Sequence, residues 1–210
     1  YTSEAGGTEL NNSFDKTGLV AWYDFNDATD SHASYDLTAV GTPSYTGGYG
    51  VAGSGSNAWN LALGSSWPGY TETTRTFAMR FRLRNLPVGV TMYALYRGLR
   101  DRIEIETTGW VRMIITGGLT STMWHGPLSI NTWYLAICEV EVTGTGTNNT
   151  KSWLNMGTPA TATGSLTGSS ADFTIGYQGT NYLDIDISHL SFWSRLLTHA
   201  EKTRLYNGGN

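Results

Sequence analysis

A chain of 210 residues with 40% hydrophobic, 12% aromatic and only 14% charged residues fits one large domain with ample core, which excludes intrinsic disorder. Its formal net charge of -4 excludes broad electrostatic binding to nucleic acid or an anionic membrane, since both need a basic face. A lone cysteine, Cys138, excludes an internal disulfide, and no apolar run approaches the roughly 20 residues that span a bilayer, so membrane insertion is not expected.

Residues 1–17 are polar and aperiodic and read as an N-terminal arm or linker, with the domain proper at 18–210. The chain opens on Tyr1 rather than Met, which implies a processed terminus or a piece of a longer polypeptide. From Gly18 onward, short aromatic and β-branched runs are punctuated by Gly, Asn, Ser or Pro, the pattern of an all-β sandwich or barrel. The predicted strands are 19–25, 76–83, 92–97, 102–106, 111–116, 132–142, 151–155, 173–177 and 185–193. In the second of these, Phe77, Met79, Phe81 and Leu83 alternate with Arg80, Arg82 and Arg84, and Ile103 and Ile105 likewise alternate with Glu104 and Glu106. Period two places one set in a core and the other on a charged outer face. Thr198-His199-Ala200-Glu201 is a capping box that opens the one predicted helix, about two turns long, with Asn207-Gly208 as its stop.

The C-terminal run FTIG (173–176) followed by DIDISHLSFWSRLLTHAEKTRLYNGG (184–209) resembles the closing signature of laminin G-like domains. GLVAWYDFND (18–27), RTFAMRFRL (75–83), NTWYLAICEV (131–140) and SWLN (152–155) follow in that family's order. The resemblance is to laminin G-like domains of the concanavalin A-like lectin/glucanase superfamily, of the type found in secreted and bacteriophage virion proteins. It implies an antiparallel jelly-roll sandwich with one short C-terminal helix. Because this fold carries lectins, adhesion modules, enzymes and virion proteins alike, function has to be read from the site.

Catalytic machinery is not visible. Glycan-cleaving relatives carry an E-x-D-x-x-E strand, whereas Glu104-Ile-Glu106 is followed by Gly109 at the last position and Asp184-Ile-Asp186 by His189. Both acidic pairs read as solvated outward residues. The four histidines form no metal signature. A structural calcium ion is the one cofactor suggested: Asp30 and Asp36 in the first turn are the candidate ligands, but Ser188 stands where the family commonly supplies an Asp. Hydrogen-bonded turn aspartates are the alternative reading.

Eight of the thirteen basic residues fall between Arg75 and Arg112. The row Arg80, Arg82 and Arg84 is expected to pair with Glu104, Glu106, Glu139 and Glu141 on neighbouring strands, while Arg97, Arg100 and Asp101 flank a turn and are candidates for a partner. Sugars stack on exposed aromatic rings, so Trp67, Tyr70, Trp124, His125, Tyr177 and Tyr182 complete the candidate ligand site. The alternative for each ring is that it plugs the end of the sandwich. The reading is a non-enzymatic carbohydrate- or receptor-binding adhesion module of a secreted or virion-surface protein, partnered by a glycan or cell-surface receptor. The alternative is a structural domain that decorates a capsid or tail and assembles with other virion subunits or copies of itself. A glycan hydrolase or lyase is the third.

Overall fold

The computed structural model describes residues 14–53, 56–62, 74–97, 101–114, 122–143, 148–164 and 172–207. Two antiparallel sheets face each other. The eight-stranded sheet runs β13 (Ala160–Gly164), β12 (Asn148–Leu154), β11 (Trp133–Val142), β6 (Arg75–Leu83), β17 (Ile185–Trp193), β4 (Tyr49–Ala52), β3 (Ser44–Thr46), with β1 (Leu19–Tyr23) also paired to β17. The seven-stranded sheet runs β10 (Thr122–His125), β9 (Val111–Ile114), β8 (Asp101–Ile105), β7 (Met92–Arg97), β14 (Phe173–Ile175), β5 (Ala58–Leu61), β2 (Thr38–Val40). A short hairpin, β15 (Tyr177–Gln178) and β16 (Asn181–Tyr182), and one helix, α1 (His199–Tyr206), complete the fold. The expected all-β sandwich with a single C-terminal helix is what the chain forms.

The alternation read from the sequence builds the core. Phe77, Met79, Phe81 and Leu83 of β6 are fully buried and meet Ile103, Ile105, Val111 and Met113 from the other sheet. Burying each such side chain is worth about 1.5–3 kcal/mol, so this interior is the main source of stability in a chain without disulfides. Cys138 lies in the same interior with its Sγ 3.4 Å from Met113 Sδ, and burial pushes its thiol pKa up, as expected of an inert thiol.

A second, smaller core lies on the outer side of the eight-stranded sheet. There Trp22, Ala78, Leu135, Ile137 and Trp193 are covered by Leu197 and by Leu205 of α1. The helix begins where the capping box predicts: Glu201 N–H donates to Thr198 Oγ1 and Thr198 N–H donates to Glu201 Oε2. Lys202 anchors it, pairing with Glu139 at 3.1 Å and lying 3.9 Å above the Trp153 ring. Phe14 packs edge-on against Trp22, and Arg195 donates to the Thr17 and Asp15 carbonyls. Phe14 and the backbone of residues 15–17 thus pack against the fold; residues 1–13 of the expected arm or linker lie outside the described residues.

The predicted strands correspond to β1, β6–β9, β11, β12, β14 and β17. Those without a sequence signal are short or rich in small residues, such as β13 (ATATG) and β3 (SYT), and are held by their neighbours' ladders rather than by their own apolar pattern.

Candidate functional site

The outer face of the seven-stranded sheet carries an unbroken polar and aromatic row. Register places Trp124 of β10 beside Arg112 of β9, Arg112 beside Glu104 of β8, and Glu104 beside Tyr93 of β7. A second row begins at Arg102 and continues through Tyr96, Thr174, Asn60 and Thr38. Tyr93 and Tyr96 are three residues apart, yet they touch edge to face with centroids 4.8 Å apart. A β-bulge between Tyr93 and Leu95 inserts one extra residue into β7 and turns both rings to the same side.

The charges on this face are tightly engaged. Arg112 bonds Glu104 through both Nε and Nη2, and Arg102 Nη1 lies 2.9 Å from Glu104 Oε1. Glu104 is fully buried beneath the two guanidiniums, which corrects its reading as a solvated residue. Trp124 is 44% exposed and stacks over Arg112 at 5.5 Å. Farther along, the β15–β16 hairpin packs on β7, with Tyr177 and Tyr182 stacked at 5.3 Å and only 8° between ring planes. The Tyr177 hydroxyl donates to Asn60 Oδ1. From Trp124 to Asn60 the face crosses six strands, about 24 Å at the usual strand spacing.

Trp124, Tyr177 and Tyr182 are thus brought to one surface. Other expected members are placed elsewhere. His125 points to the opposite side of β10 from Trp124, as strand alternation requires, and its Nε2 bonds Ser152 Oγ of the other sheet at 2.8 Å, with burial holding its pKa below the usual histidine value. Arg97 and Asp101 were expected at an exposed turn, but they are 2% and 0% exposed. Asp101 accepts from Arg97 Nη1 at 3.2 Å and from Arg75 Nη2 at 2.8 Å, and Arg97 lies over the Phe173 ring at 5.2 Å. Because Arg75 belongs to the other sheet, this group clamps the two sheets together instead of facing a partner. Trp67, Tyr70 and Arg100 lie outside the described residues. The sequence reading passed over Tyr93, Tyr96, Glu104, Arg112 and Asn60 as site residues. The Arg102-Ile-Glu104-Ile alternation and Arg112 carried a signal for two of the five, Glu104 and Arg112; the bulge hides the tyrosines.

In the arginine row on the opposite sheet, Arg82 and Arg84 are paired, but not with the glutamates first assigned to them. Arg82 bonds Asp186 Oδ2 at 2.6 Å, and Arg84 pairs with Asp184 and, at 3.4 Å, with Asp186. These acids lie on or beside β17, which is the strand hydrogen-bonded to β6, whereas Glu104 belongs to the other sheet. Asp186 is 1% exposed, so it too is not a solvated residue.

Asp30 and Asp36, the candidate calcium ligands, accept backbone amides around the first turn. Asp30 Oδ1 accepts the Trp22 and His32 amides at 2.9 and 3.0 Å, its Oδ2 accepts that of Tyr35 at 3.3 Å, and Asp36 Oδ1 accepts the Asp30 amide at 2.9 Å. Three of the four carboxylate oxygens thus tie the turn. No group of three or more His, Cys, Asp or Glu suited to a metal occurs among the described residues.

No family model and no curated protein matches the sequence. The fold, however, is similar to solved structures. Trypanosoma rangeli sialidase, in complex with a difluorinated keto-deoxy-nononic acid, is 13% identical with a TM-score of 0.67, over 98% of this chain and 36% of that one. The binding domain of botulinum neurotoxin DC is similar as well. In complex with SialylT it is 12% identical with a TM-score of 0.68, over 92% of this chain and 52% of that one. In complex with rat synaptotagmin II it is 11% identical, with a TM-score of 0.67 over the same shares. At such identities the likeness shows the fold, and this chain spans only about a third of the sialidase and half of the toxin domain.

Proposed function

We propose that this chain is a non-catalytic module that binds a glycan or a glycan-bearing cell-surface receptor on the outer face of its seven-stranded sheet. The observation that carries this reading is the row Trp124–Arg112–Glu104–Tyr93, in which an exposed indole stands beside fixed hydrogen-bonding groups. Stacking rings take the C–H faces of a sugar, and guanidinium and amide groups fix its hydroxyls. Solved structures of the same fold in complex with SialylT and with synaptotagmin II support a glycan or receptor ligand. The non-catalytic part rests on the carboxylates: Glu104 and Asp186 are each bound by arginines instead of standing as an opposed pair across an open cleft. Within this reading the chain is a laminin G-like domain of an extracellular or virion-surface protein.

The test is a glycan array probed with the chain and with Trp124→Ala. A hit that disappears in the variant, with an unchanged melting temperature, is expected; full binding by the variant would remove the site from this face.

One observation favours the second reading, a structural domain that contacts other subunits or its own copies. Leu86, Val88, Val90, Trp110 and Ile130, five of the seven exposed large hydrophobics among the described residues, lie in the β6–β7, β8–β9 and β10–β11 connections. The three connections meet where Leu128 N–H donates to the Gly109 carbonyl and Leu86 approaches Gly109. An oligomer in solution that dissociates in Val88→Asp would support that role.

A further inference from the structure

Building on the glycan-site reading, we propose that the ligand is acidic: its carboxylate or sulfate oxyanion docks on Arg112 and Arg102 while the sugar ring bearing it lies on Trp124. The first ground is the order of the charges. Arg102, Glu104 and Arg112 comprise two cations and one anion, a local excess of one positive charge in a chain whose net charge is -4. Glu104 is the deepest of the three, with a side chain 0% exposed, while Arg102 is 11% and Arg112 26% exposed. A ligand arriving from solvent meets guanidinium before it meets carboxylate.

The second ground is unused donor capacity. A guanidinium carries five N–H groups in a fixed fork. Glu104 engages only Nε and Nη2 of Arg112 and Nη1 of Arg102, so each partly exposed fork carries N–H groups that this carboxylate does not use. An oxyanion is the partner that such a fork binds most strongly, through short charge-assisted bonds. The third ground is adjacency. The Trp124 ring lies 5.5 Å from the Arg112 guanidinium, so a platform for a pyranose face and donors for its acidic substituent occupy neighbouring positions.

The experiment is an array of matched glycans: neutral chains, the same chains sialylated or carrying uronic acid, and the same chains sulfated, read between about 0.05 and 0.5 M sodium chloride. Acidic members are expected to bind about tenfold or more tightly than their neutral counterparts, and the advantage is expected to shrink as salt rises. Arg112→Gln should abolish the preference and, by stripping one of two guanidiniums from the buried Glu104, lower the melting temperature, whereas Arg112→Lys, which keeps the charge without the fork, should retain part of the preference and of the stability. Glu104→Gln should raise the ratio of acidic to neutral binding above that of the parent. Comparing the carboxylated with the sulfated arm tells which oxyanion is the natural one. Equal or better binding of neutral members, or an acidic preference that survives Arg112→Gln, would overturn the proposal and leave the glycan-site reading standing. Silence across the whole array would overturn both.

Discussion

The two outer faces of this sandwich are made of the same materials and used in opposite ways. On the eight-stranded sheet, Trp22 and Trp193 are sealed under α1 and Phe14, and Arg82 is locked between Asp186 and the rings of Trp133 and Tyr49. On the seven-stranded sheet, Trp124 stands 44% exposed over Arg112, and the aromatic rows run on to Tyr177 and Tyr182 without a covering helix among the described residues. Tryptophan and arginine therefore do not mark a binding surface by themselves. What separates a binding platform from a second core is whether another element needs that face for its own burial, and α1, with Leu205 on its buried side, needs only one of them.

The comparison can be broken most forcefully at the covered face. Trp193→Ala should destabilise the chain by about 3–5 kcal/mol, measured by urea unfolding, because it removes a fully buried indole beneath the helix. Asp101→Ala is expected to cost a similar amount, about 3–5 kcal/mol, since it removes the carboxylate on which two buried guanidiniums from different sheets converge. Were Asp101→Ala instead to spare stability and impair ligand binding, Arg97 and Asp101 would return to the binding site.

His189, also under the covered face and 4.3 Å from Trp22, should make stability depend on pH. Burial, reinforced by Arg80, lowers its pKa from 6.5 to about 3. The folded protein thus keeps a neutral imidazole where the unfolded chain is protonated, so the stabilisation is present above pH 6.5 and is lost as pH falls from 6.5 toward 3. Between pH 6.5 and 5 the loss should be roughly 2 kcal/mol, and His189→Gln should flatten that slope. Thr198→Ala, which removes the cap of the covering helix, should cost about 1 kcal/mol. Trp124→Ala on the open face should change stability least, within about 0.5 kcal/mol, and binding most. A large loss of stability in Trp124→Ala would erase the distinction between the two faces.

Much of this contrast was written in the chain. The capping box at Thr198 and Glu201 forms as read, because a cap is a local pattern of four residues. The β6 alternation places Phe77, Met79, Phe81 and Leu83 in the core for the same reason. Trp124, Tyr177 and Tyr182 were legible as candidates because punctuation by Gly and Asn keeps aromatic side chains near the surface. Arg97 and Asp101 were misplaced because the sequence shows a turn but not Arg75, which arrives from the opposite sheet to bury them. Trp59, close to the punctuating Asn57 and Asn60, is nonetheless fully buried in β5 against Phe25, its Nε1 donating to Tyr45.

The sequence by itself determined the class of fold, the residues of the main core and the place of the helix, since period-two alternation and capping act over a few neighbouring positions. Only the tertiary structure decided which strands adjoin and which face each side chain reaches. Two bulges show why. The extra residue in β7 brings Tyr93 and Tyr96 to one side, and the extra residue in β17, between Ile187 and His189, brings Asp186 opposite Arg82 and His189 opposite Arg80. Each bulge shifts the alternation by one residue, and its position is set by the ladder of the neighbouring strand, which the local sequence does not contain.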